Sequence, residues 1–295
     1  MGERRPARRM VTVLAGGART VITDLGRPGL AHLGIPRSGA LDPPALRLAN
    51  RLVGNPEDRA GFEVLLGGLE LRAGSGCLAA VTGAPVEVRV SGRAVGSHRA
   101  VWLAPGQRLV LGAPTAGLRC YLALSGGLDV PEVLGSRSTD LLSGLGPEQV
   151  ADGDEVPLGA PPSVAPRAAA PVPVSVPPAR IEVPVLLGPR DDWFSRPASA
   201  LRGTEWSVGP ASNRIGLRLS GTALVRVASR VGAELPSEPM LPGAVQVPPS
   251  GQPVIFLADG PTTGGYPVVA VVPARSLPAL AQARPGATVL LRPRS

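Results

Sequence analysis

The segment with the densest set of chemically active side chains is residues 23–42, TDLGRPGLAHLGIPRSGALD. Its apolar residues follow neither the two-residue period of a strand nor the 3.6-residue period of a helix. Four glycines and two prolines within it predict turns. An ordered loop of this length inside a compact domain is usually functional. We therefore expect a site in this segment, whose ionisable side chains are Asp24, Arg27, His32, Arg37 and Asp42.

A second polar and glycine-rich stretch lies in the last third of the chain, at 234–253 and 259–267. Asp259 closely follows the apolar run PVIFL, so a strand there would place its carboxylate at the rim of a barrel. Gly264 and Gly265 permit a ligand to approach the backbone closely. Hydroxyl groups that donate or accept hydrogen bonds follow at Thr262, Thr263 and Tyr266. A turn without a ligand has a similar composition, so the pattern leaves both interpretations open.

Two arginines are spaced for a shared face in SNRIGLRLSG, residues 212–221. Arg214 and Arg218 are four residues apart, and on a strand an even spacing puts both side chains on one side. Two guanidinium groups on one side suit bidentate contact with a carboxylate or a phosphate. A solvated strand face explains the same spacing equally well.

The sequence contains no lysine, and this absence excludes several kinds of chemistry. A G-x-x-x-x-G-K-[ST] phosphate loop, a Schiff-base lysine and a lysine carrying biotin or lipoate all need that residue. A G-x-S-x-G nucleophile elbow and a dinucleotide fingerprint are missing as well. The residues alone therefore indicate a protein that binds a carboxylated or phosphorylated small molecule through its polar loops.

We expect no metal site in this chain. Cys77 and Cys120 are too few and too far apart for a zinc site, and their apolar surroundings predict buried thiols. His32 and His98 cannot supply a site with several histidines, and no H-E-x-x-H motif is present.

The charge of the chain suggests a nucleic-acid partner at first sight, but other features oppose it. The net charge is +8 and the pI is about 11.1. Aromatic residues make up only 3% of the chain, and the arginines are scattered, so platforms for stacking bases are scarce. We expect neither nucleic acid nor a membrane as a partner. The apolar run VTVLAGGA is too short for a signal peptide or a membrane span, which predicts a cytoplasmic protein.

Composition predicts a mostly β protein. The chain has 38 Gly and 35 Pro, and between them lie short Val-rich runs that read as strands. The Pro- and Ala-rich segment 161–180 is typical of a linker and predicts domains at 1–160 and 181–295. A Pro-Gly turn precedes an apolar run at 105–112 and again at 285–293, and DGDEVPLG at 152–159 is a looser copy. This repeat predicts two related β-barrels. The strand candidates are VTVLAGG, LELRAG, CLAAVTGA, VEVRVSG, AVWLAPG, RLVLGAP, LRCYLALSGG, IEVPVLLG, TEWSVG, IGLRLSG, ALVRV, AVQVPP, PVIFLADG, YPVVAVVP and TVLLRP.

One helix is predicted, immediately after the opening loop. Asp42 is a suitable N-cap, Pro43 and Pro44 fit the first turn, and Gly54 ends the helix. The apolar residues on one face are Leu46, Ala49, Leu52 and Val53. The N-terminus of this helix points at the loop, so we expect that it either binds an anion or is simply a capped surface helix.

Several segments of the sequence resemble the biotin-dependent carboxyltransferase family, also called the allophanate hydrolase subunit 2 or KipA-like family, which includes the C subunit of 5-oxoprolinase. The resemblance runs in order along nearly the whole chain. The matching segments are DLGRPG at 24–29, LGIPRSGALD at 33–42, LANRLVGN at 48–55, FE at 62–63, YLALSGGLDVPEVLGSRST at 121–139, PGAVQVPPSGQP at 242–253 and TTGGYP at 262–267.

This resemblance implies two cyclophilin-like β-barrel domains with a few short helices. It implies a component of an ATP-dependent 5-oxoprolinase that converts 5-oxoproline to glutamate together with a KipI-like protein (the B subunit) and a LamB/YcsF-like protein (the A subunit), with ATP shared with those partners. One alternative is transfer of carboxyl from carboxybiotin on another chain to urea or a related amide. Another is a non-catalytic regulator that binds a KipI-like protein.

The resemblance also assigns roles to residues. The catalytic candidates are Asp24, Arg27, Asp42, Glu63 and Asp259. The candidates for substrate binding are Arg37, Ser38, Asn50, Arg214, Gln246, Thr262, Thr263 and Tyr266. The chain departs from the family pattern at Pro261, where a Gln is expected, and Pro cannot supply an amide side chain. Further departures are Ile22, Thr23, Pro147, Leu217 and Arg275.

Overall fold

A computed structural model describes residues 9–163, 172–173 and 175–294. These residues fall into two compact units. The first unit contains the described parts of Met1–Gly26 and Leu145–Val176 together with Pro43–Thr139. The second contains Arg27–Asp42, Asp140–Gly144 and the described part of Pro177–Ser295. The opening loop, which the sequence places with the first half, therefore belongs from Arg27 onward to the second unit.

The first unit consists of two antiparallel sheets and one helix. Its strands are β1 Met10–Gly16, β2 Arg19–Thr23, β3 Gly61–Leu65, β4 Leu69–Ala73, β5 Cys77–Gly83, β6 Val88–Val90, β7 Arg93–Ala94, β8 Ala100–Leu103, β9 Arg108–Leu111, β10 Arg119–Leu124 and β11 Glu155–Pro157, and its helix is α1 Pro43–Leu52. One sheet has the order β11-β1-β4-β9-β6-β7 and the other the order β2-β3-β10-β5-β8. The strands of this unit thus form two separate sheets.

The core of the first unit is built from apolar residues of both sheets. Alternate residues of each strand point to the same side, and those that point inward are nearly all Val, Leu, Ala or Phe. Burying one such aliphatic side chain contributes roughly 1.5–3 kcal/mol. Representative members of this core are Val11, Val13, Phe62, Val64, Leu71, Val81, Leu109 and Leu122.

The second unit contains a closed barrel. Its strands are β12 Arg180–Leu187, β13 Trp206–Val208, β14 Gly216–Ser220, β15 Glu238–Pro239, β16 Ala244–Gln246, β17 Val254–Phe256, β18 Thr263–Gly264, β19 Val268–Val271 and β20 Thr288–Arg294, and its helices are α2 Pro197–Gly203 and α3 Leu277–Ala281. Seven strands form the ring β12-β19-β16-β17-β14-β13-β20, which closes through the parallel pair of β12 and β20. The remaining two, β15 and β18, form a small hairpin-like sheet.

The mostly β prediction is confirmed, and so is the predicted helix, whose buried face includes Leu46, Ala49 and Leu52. The two Pro-Gly turns are also present. Gly106 and Gly286 have positive φ angles of 81° and 84°, which suits the second central position of a type II turn after proline. The predicted strand ALVRV makes only one isolated bridge, between Phe194 and Arg226.

Part of the predicted linker, residues 164–171 and 174, lies outside the described residues. Within the ranges described above, no helix combines the length and the apolar character needed to cross a membrane.

The predicted buried thiols are confirmed and should be unreactive. Burial raises the pKa of Cys77 to about 11 and that of Cys120 to about 12. At about pH 8 only about one Cys77 in a thousand would then be thiolate, and the thiolate is the reactive form. We expect no modification of the native protein by Ellman's reagent within an hour and modification of both thiols after denaturation in guanidinium. Rapid labelling of the native protein would contradict the burial of these residues.

Candidate functional site

Asp24, immediately after β2, is the centre of a hydrogen-bonded cluster in the first unit. Its Oδ1 atom accepts hydrogen bonds from Ser136 Oγ at 2.7 Å, from Ser138 Oγ at 2.6 Å and from the Gly26 backbone N–H at 2.7 Å. Its Oδ2 atom accepts one from the Arg137 backbone N–H at 2.6 Å. Only 9% of Asp24 is exposed. The carboxylate therefore ties the start of the opening loop to the segment that contains both serines.

This geometry bears on the predicted catalytic role of Asp24. A general base must present a lone pair to the proton that it removes. Four protein donors already converge on the Asp24 carboxylate. Asp24 thus fits an anchor of the loop better than a base.

Asp259 is the centre of a second cluster, in the second unit. Arg214 donates to both carboxylate oxygens, from Nε at 2.8 Å and from Nη2 at 2.9 Å. Ser38 Oγ at 2.8 Å and the Leu141 backbone N–H at 3.2 Å donate as well. Arg214 Nη2 also donates to the Gly39 carbonyl at 2.7 Å. Three predicted site residues, Asp259, Arg214 and Ser38, thus lie in one buried cluster, which we call the Asp259 cluster.

The Asp259 cluster holds the opening loop in an unusual backbone conformation. Ser38 has a φ of +52°, a region that non-glycine residues rarely adopt, and the next residue, Gly39, has a φ of +90°. The Ser38 N–H donates to the Ala258 carbonyl at 3.0 Å, and the Arg27 N–H donates to the Arg37 carbonyl at 2.8 Å. Such a conformation persists only where its surroundings fix it. The buried ion pair beside Ser38 supplies that constraint.

The predicted pairing of Arg214 and Arg218 on one strand face is wrong. β14 begins at Gly216, so Arg214 precedes the strand. Arg214 is buried in its ion pair with Asp259, whereas Arg218 is exposed on the strand. Arg214 therefore positions the loop through Asp259 and Gly39.

Glu63 lies in a buried polar set on the five-stranded sheet of the first unit. The Tyr121 hydroxyl donates to Glu63 Oε2 at 2.8 Å. Arg119 Nε lies 3.4 Å from Glu63 Oε1. Side-chain exposure is 3% for Glu63 and 7% for Arg119, and Tyr121 is fully buried. We call these three residues the Glu63 set.

Helix α1 offers an anion fewer N–H groups than the sequence interpretation assumed. Its first two residues are Pro43 and Pro44, and proline has no backbone N–H. Two of the free donors that a helix N-terminus normally presents are therefore missing.

In the second unit, Asp42 Oδ2 accepts a hydrogen bond from Gln282 Nε2 at 2.9 Å, and both residues are buried.

Asn50, predicted to bind substrate, uses both ends of its side-chain amide within the fold. Its Nδ2 donates to the Arg59 carbonyl at 2.7 Å, and its Oδ1 accepts from Asn55 Nδ2 at 2.9 Å. Asn55 in turn donates to the Leu124 carbonyl and accepts from the Gly126 N–H. These bonds fasten the end of α1 to β10, so Asn50 serves the structure.

The predicted residues of the last third of the chain lie around the β15–β18 pair. Gln246 is buried, and its Nε2 donates to the Tyr266 carbonyl at 3.2 Å. Gly264 packs so closely against Gln246 that an added Cβ would lie 2.6 Å from Nε2. Thr262 is half-buried and Thr263 is exposed, and Tyr266 is 45% exposed. Gln246 thus supports a turn whose outward-facing side chains are Thr263 and Tyr266.

A separate cleft of about 270 Å³ lies in the first unit, and it contains none of the predicted site residues. Its lining is partly apolar and partly acidic, with Ile22, Val130, Val150, Glu148, Asp154 and Glu155 among its residues. Among the described residues, no cluster of three or more His, Cys, Asp or Glu side chains could hold a metal ion.

With this geometry described, the chain can be compared with known proteins. The family model described as "Carboxyltransferase domain, subdomain A and B" matches residues 33–293. The chain belongs to this carboxyltransferase-domain family. The match covers the Asp259 cluster, the Glu63 set and the β15–β18 pair.

One curated relative in this family is the 5-oxoprolinase C subunit of Escherichia coli strain K12. It is 40% identical over 267 residues, which cover 89% of this chain and 84% of the relative. Two solved structures share the fold. The crystal structure of the Kluyveromyces lactis urea carboxylase has a TM-score of 0.90 and 30% identity, over 99% of this chain and 28% of that one. The crystal structure of TTHA0988 has a TM-score of 0.87 and 34% identity, over 100% of this chain and 58% of that one. The chain thus spans less than two thirds of each solved protein.

Sequence reasoning missed five residues that hold the candidate site residues in place. They are Arg119, Tyr121, Ser136, Ser138 and Gln282. Tyr121, Ser136 and Ser138 lie inside the segment YLALSGGLDVPEVLGSRST that carries the family resemblance. Their occurrence in that segment is the signal that could have identified them, although their partners are distant in sequence.

Proposed function

We propose that this chain is a component of an ATP-dependent 5-oxoprolinase-type complex that converts 5-oxoproline to glutamate. The observation that carries the proposal is the 40% identity to the 5-oxoprolinase C subunit of E. coli over most of both chains. A match that covers 84% of the relative supports an equivalent component rather than a shared fragment. The protein is therefore part of a hydrolase complex.

The partners in this proposal are a KipI-like protein and a LamB/YcsF-like protein, the B and A subunits of the complex. The greater length of TTHA0988 supports the presence of partner proteins in the complex. This chain corresponds to only 58% of TTHA0988, so in that protein the same fold is covalently joined to further polypeptide. In the proposed complex the additional parts are separate chains.

The chemistry explains why ATP is needed. A ring amide is a poor electrophile, and transfer of the γ-phosphoryl group of ATP to its oxygen, with release of ADP, activates the carbonyl carbon. Water adds to that carbon and the C–N bond breaks, with a proton of the water going to the nitrogen, so that an acyl phosphate forms. A second water hydrolyses the acyl phosphate to the free carboxylate and phosphate.

Arg27 and the exposed Arg37 are suited to stabilise the negative charge that develops on oxygen. Asp42 is the carboxylate that we propose to orient water or accept a proton. Glu63 is only 3% exposed and accepts a hydrogen bond from Tyr121, so it is less suited to that role.

The residues of this chain do not fit an ATP site of the common kind. The sequence has no lysine and therefore no phosphate-loop motif. Two of the buried arginines, Arg214 and Arg119, already pair with Asp259 and Glu63. We therefore place the nucleotide on the partner proteins or between them and this chain.

Carboxyl transfer is the second candidate, and one observation favours it. The fold matches the Kluyveromyces lactis urea carboxylase with a TM-score of 0.90. Because this chain has no lysine to carry biotin, the biotin would be on another chain. A third candidate, a non-catalytic regulator, predicts a stable complex with a KipI-like protein and no turnover.

An affinity-tagged version of this chain, co-expressed with both partner types, separates these candidates. We expect both partners to co-purify and 5-oxoproline to stimulate the release of ADP from ATP. A co-purifying biotin protein detected with avidin, together with urea-dependent ADP release, would favour carboxyl transfer. A binary complex that never releases ADP would favour regulation.

A further inference from the structure

A surface loop of the second unit carries two arginines that stack on one tryptophan. The guanidinium carbon of Arg226 lies 5.4 Å from the centroid of the Trp193 ring, and that of Arg230 lies 5.0 Å from the same centroid. Both distances are within the range of a cation–π contact. Only 3% of Trp193 is exposed. The two cations therefore lie close to each other around one buried aromatic ring.

Each of these arginines adjoins a strongly exposed valine. Val225 precedes Arg226, and Val231 follows Arg230. Val231 is 71% exposed and Val225 is 66% exposed, and in the described part of the chain no other large apolar side chain is as exposed as either. One exposed valine needs no explanation, but two of them beside paired arginines have the composition of a protein contact surface. We call residues 225–231, VRVASRV, the Val-Arg loop.

Hydrogen bonds fix the conformation of the Val-Arg loop. The Val227 N–H donates to the Trp193 carbonyl at 2.9 Å. Arg226 Nη1 donates to the Ala233 carbonyl at 3.0 Å. A short 3-10 helix, Ala228–Arg230, lies between these contacts. A surface that is ordered in advance loses little conformational entropy when a partner binds to it.

The chain balances the positive charges of this loop only in part. Arg230 Nη2 lies 4.0 Å from Asp192 Oδ2, at the outer limit of an ion pair, and Asp192 is exposed. The neighbours of the Arg226 guanidinium are backbone carbonyls and the Trp193 ring, and it forms no ion pair with a carboxylate of the described residues. A guanidinium group pairs well with a carboxylate of another molecule.

We propose that the Val-Arg loop is a docking surface for an acidic and apolar patch of a partner protein. Carboxylates of the partner pair with Arg226 and Arg230, and its apolar side chains cover Val225 and Val231. The occupant is the KipI-like protein, because both the 5-oxoprolinase candidate and the regulator candidate include it. The identity of the partner thus rests on the proposed function. A second copy of this chain is disfavoured, since each copy carries a net charge of +8.

The test measures the Kd between this chain and the purified KipI-like protein by isothermal titration calorimetry. We expect Arg226→Glu to raise Kd at least about 30-fold, because it places like charges opposite each other. Val231→Asp should raise Kd at least about tenfold for the same reason and through lost apolar contact. For the wild type, Kd should rise about tenfold between about 0.05 M and about 0.5 M NaCl, since salt screens exposed charges.

Arg218→Glu is the matched control. Arg218 is exposed on β14 of the same unit, outside the Val-Arg loop, and the substitution changes the net charge as much as Arg226→Glu does. We expect Kd to stay within about twofold of the wild-type value. The melting temperature of every variant shows whether it is folded. Should Arg226→Glu not fold, Val231→Asp decides, because it alters a side chain that is 71% exposed.

The inference is wrong if the wild-type chain does not bind the KipI-like protein, or if Val231→Asp binds it as tightly as Arg218→Glu does. It is also wrong if the loop variants weaken only the binding of the LamB/YcsF-like protein, or only the self-association of this chain in size-exclusion chromatography. Glutamate formation is measured separately with all three proteins. A complex that depends on the Val-Arg loop but forms no glutamate would contradict the proposed hydrolase function and support the docking surface.

Discussion

Asp259→Asn should lower the free energy of unfolding by about 3–5 kcal/mol, since it leaves the buried guanidinium of Arg214 without a counter-charge. The Asp259 carboxylate accepts hydrogen bonds from Arg214, Ser38 and the Leu141 backbone N–H. In the variant, the amide N–H₂ group faces some of these donors and cannot accept from them. Urea unfolding followed by circular dichroism measures the difference. The same variant should lose activity in the complex, because Ser38 is released from its strained conformation.

Two further variants make the Asp259 prediction specific. Arg218→Gln, on the exposed face of β14, should change stability by less than about 0.5 kcal/mol. The double variant Arg214→Met with Asp259→Leu should recover part of the lost stability, since no unpaired charge remains. A loss of less than about 1 kcal/mol in Asp259→Asn would contradict the buried ion pair.

Asp24→Asn should have the second largest effect, lowering the free energy of unfolding by about 2–3 kcal/mol through the loss of charge-assisted hydrogen bonds. The two serine hydroxyls can rotate to suit an amide, but the Arg137 backbone N–H cannot. We also expect the activity of the complex to fall by about 100-fold or more at a temperature where the variant is folded, because the loop loses its anchor.

Asp152→Asn is the control for this second prediction. Asp152 also accepts a hydrogen bond from a backbone N–H, that of Gly16 at 2.8 Å, but its side chain is otherwise exposed. We expect a change of less than about 1 kcal/mol and full activity. If both Asp variants behaved alike, the Asp24 cluster would have no special role in holding the loop.

Most strands could be predicted from the sequence because their apolar residues alternate or run together between turn residues. β2 and β3 were missed for one physical reason. Their residues are buried on both faces of the sheet, and on β3 one of the buried residues is Glu63. A charged residue in a short run argues against a buried strand unless its partners are known.

The helix and the Pro-Gly turns could be predicted because their signals are local. Pro43 and Pro44 at the start of α1 and Gly54 after its end are read directly from neighbouring residues. The same prolines remove N–H groups, and this consequence for anion binding follows from the sequence once the helix is accepted.

The roles of the site residues could not be predicted in the same way, because their partners are distant. Ser38 and Asp259 are 221 residues apart in the sequence, and Asp24 and Ser138 are 114 apart. The sequence shows that Asp24 and Asp259 are carboxylates in loops. Whether each is a base or an anchor depends on the donors around it, which only the fold brings together.

The most direct test of the proposed function is the amount of glutamate formed from 5-oxoproline and ATP by the three co-expressed proteins, compared with the same mixture lacking this chain. We expect glutamate to form in the complete mixture only, and to form far more slowly with Asp24→Asn than with Asp152→Asn. Equal glutamate formation with and without this chain, or none in a complete mixture of folded and associated components, would contradict its assignment to a 5-oxoprolinase complex.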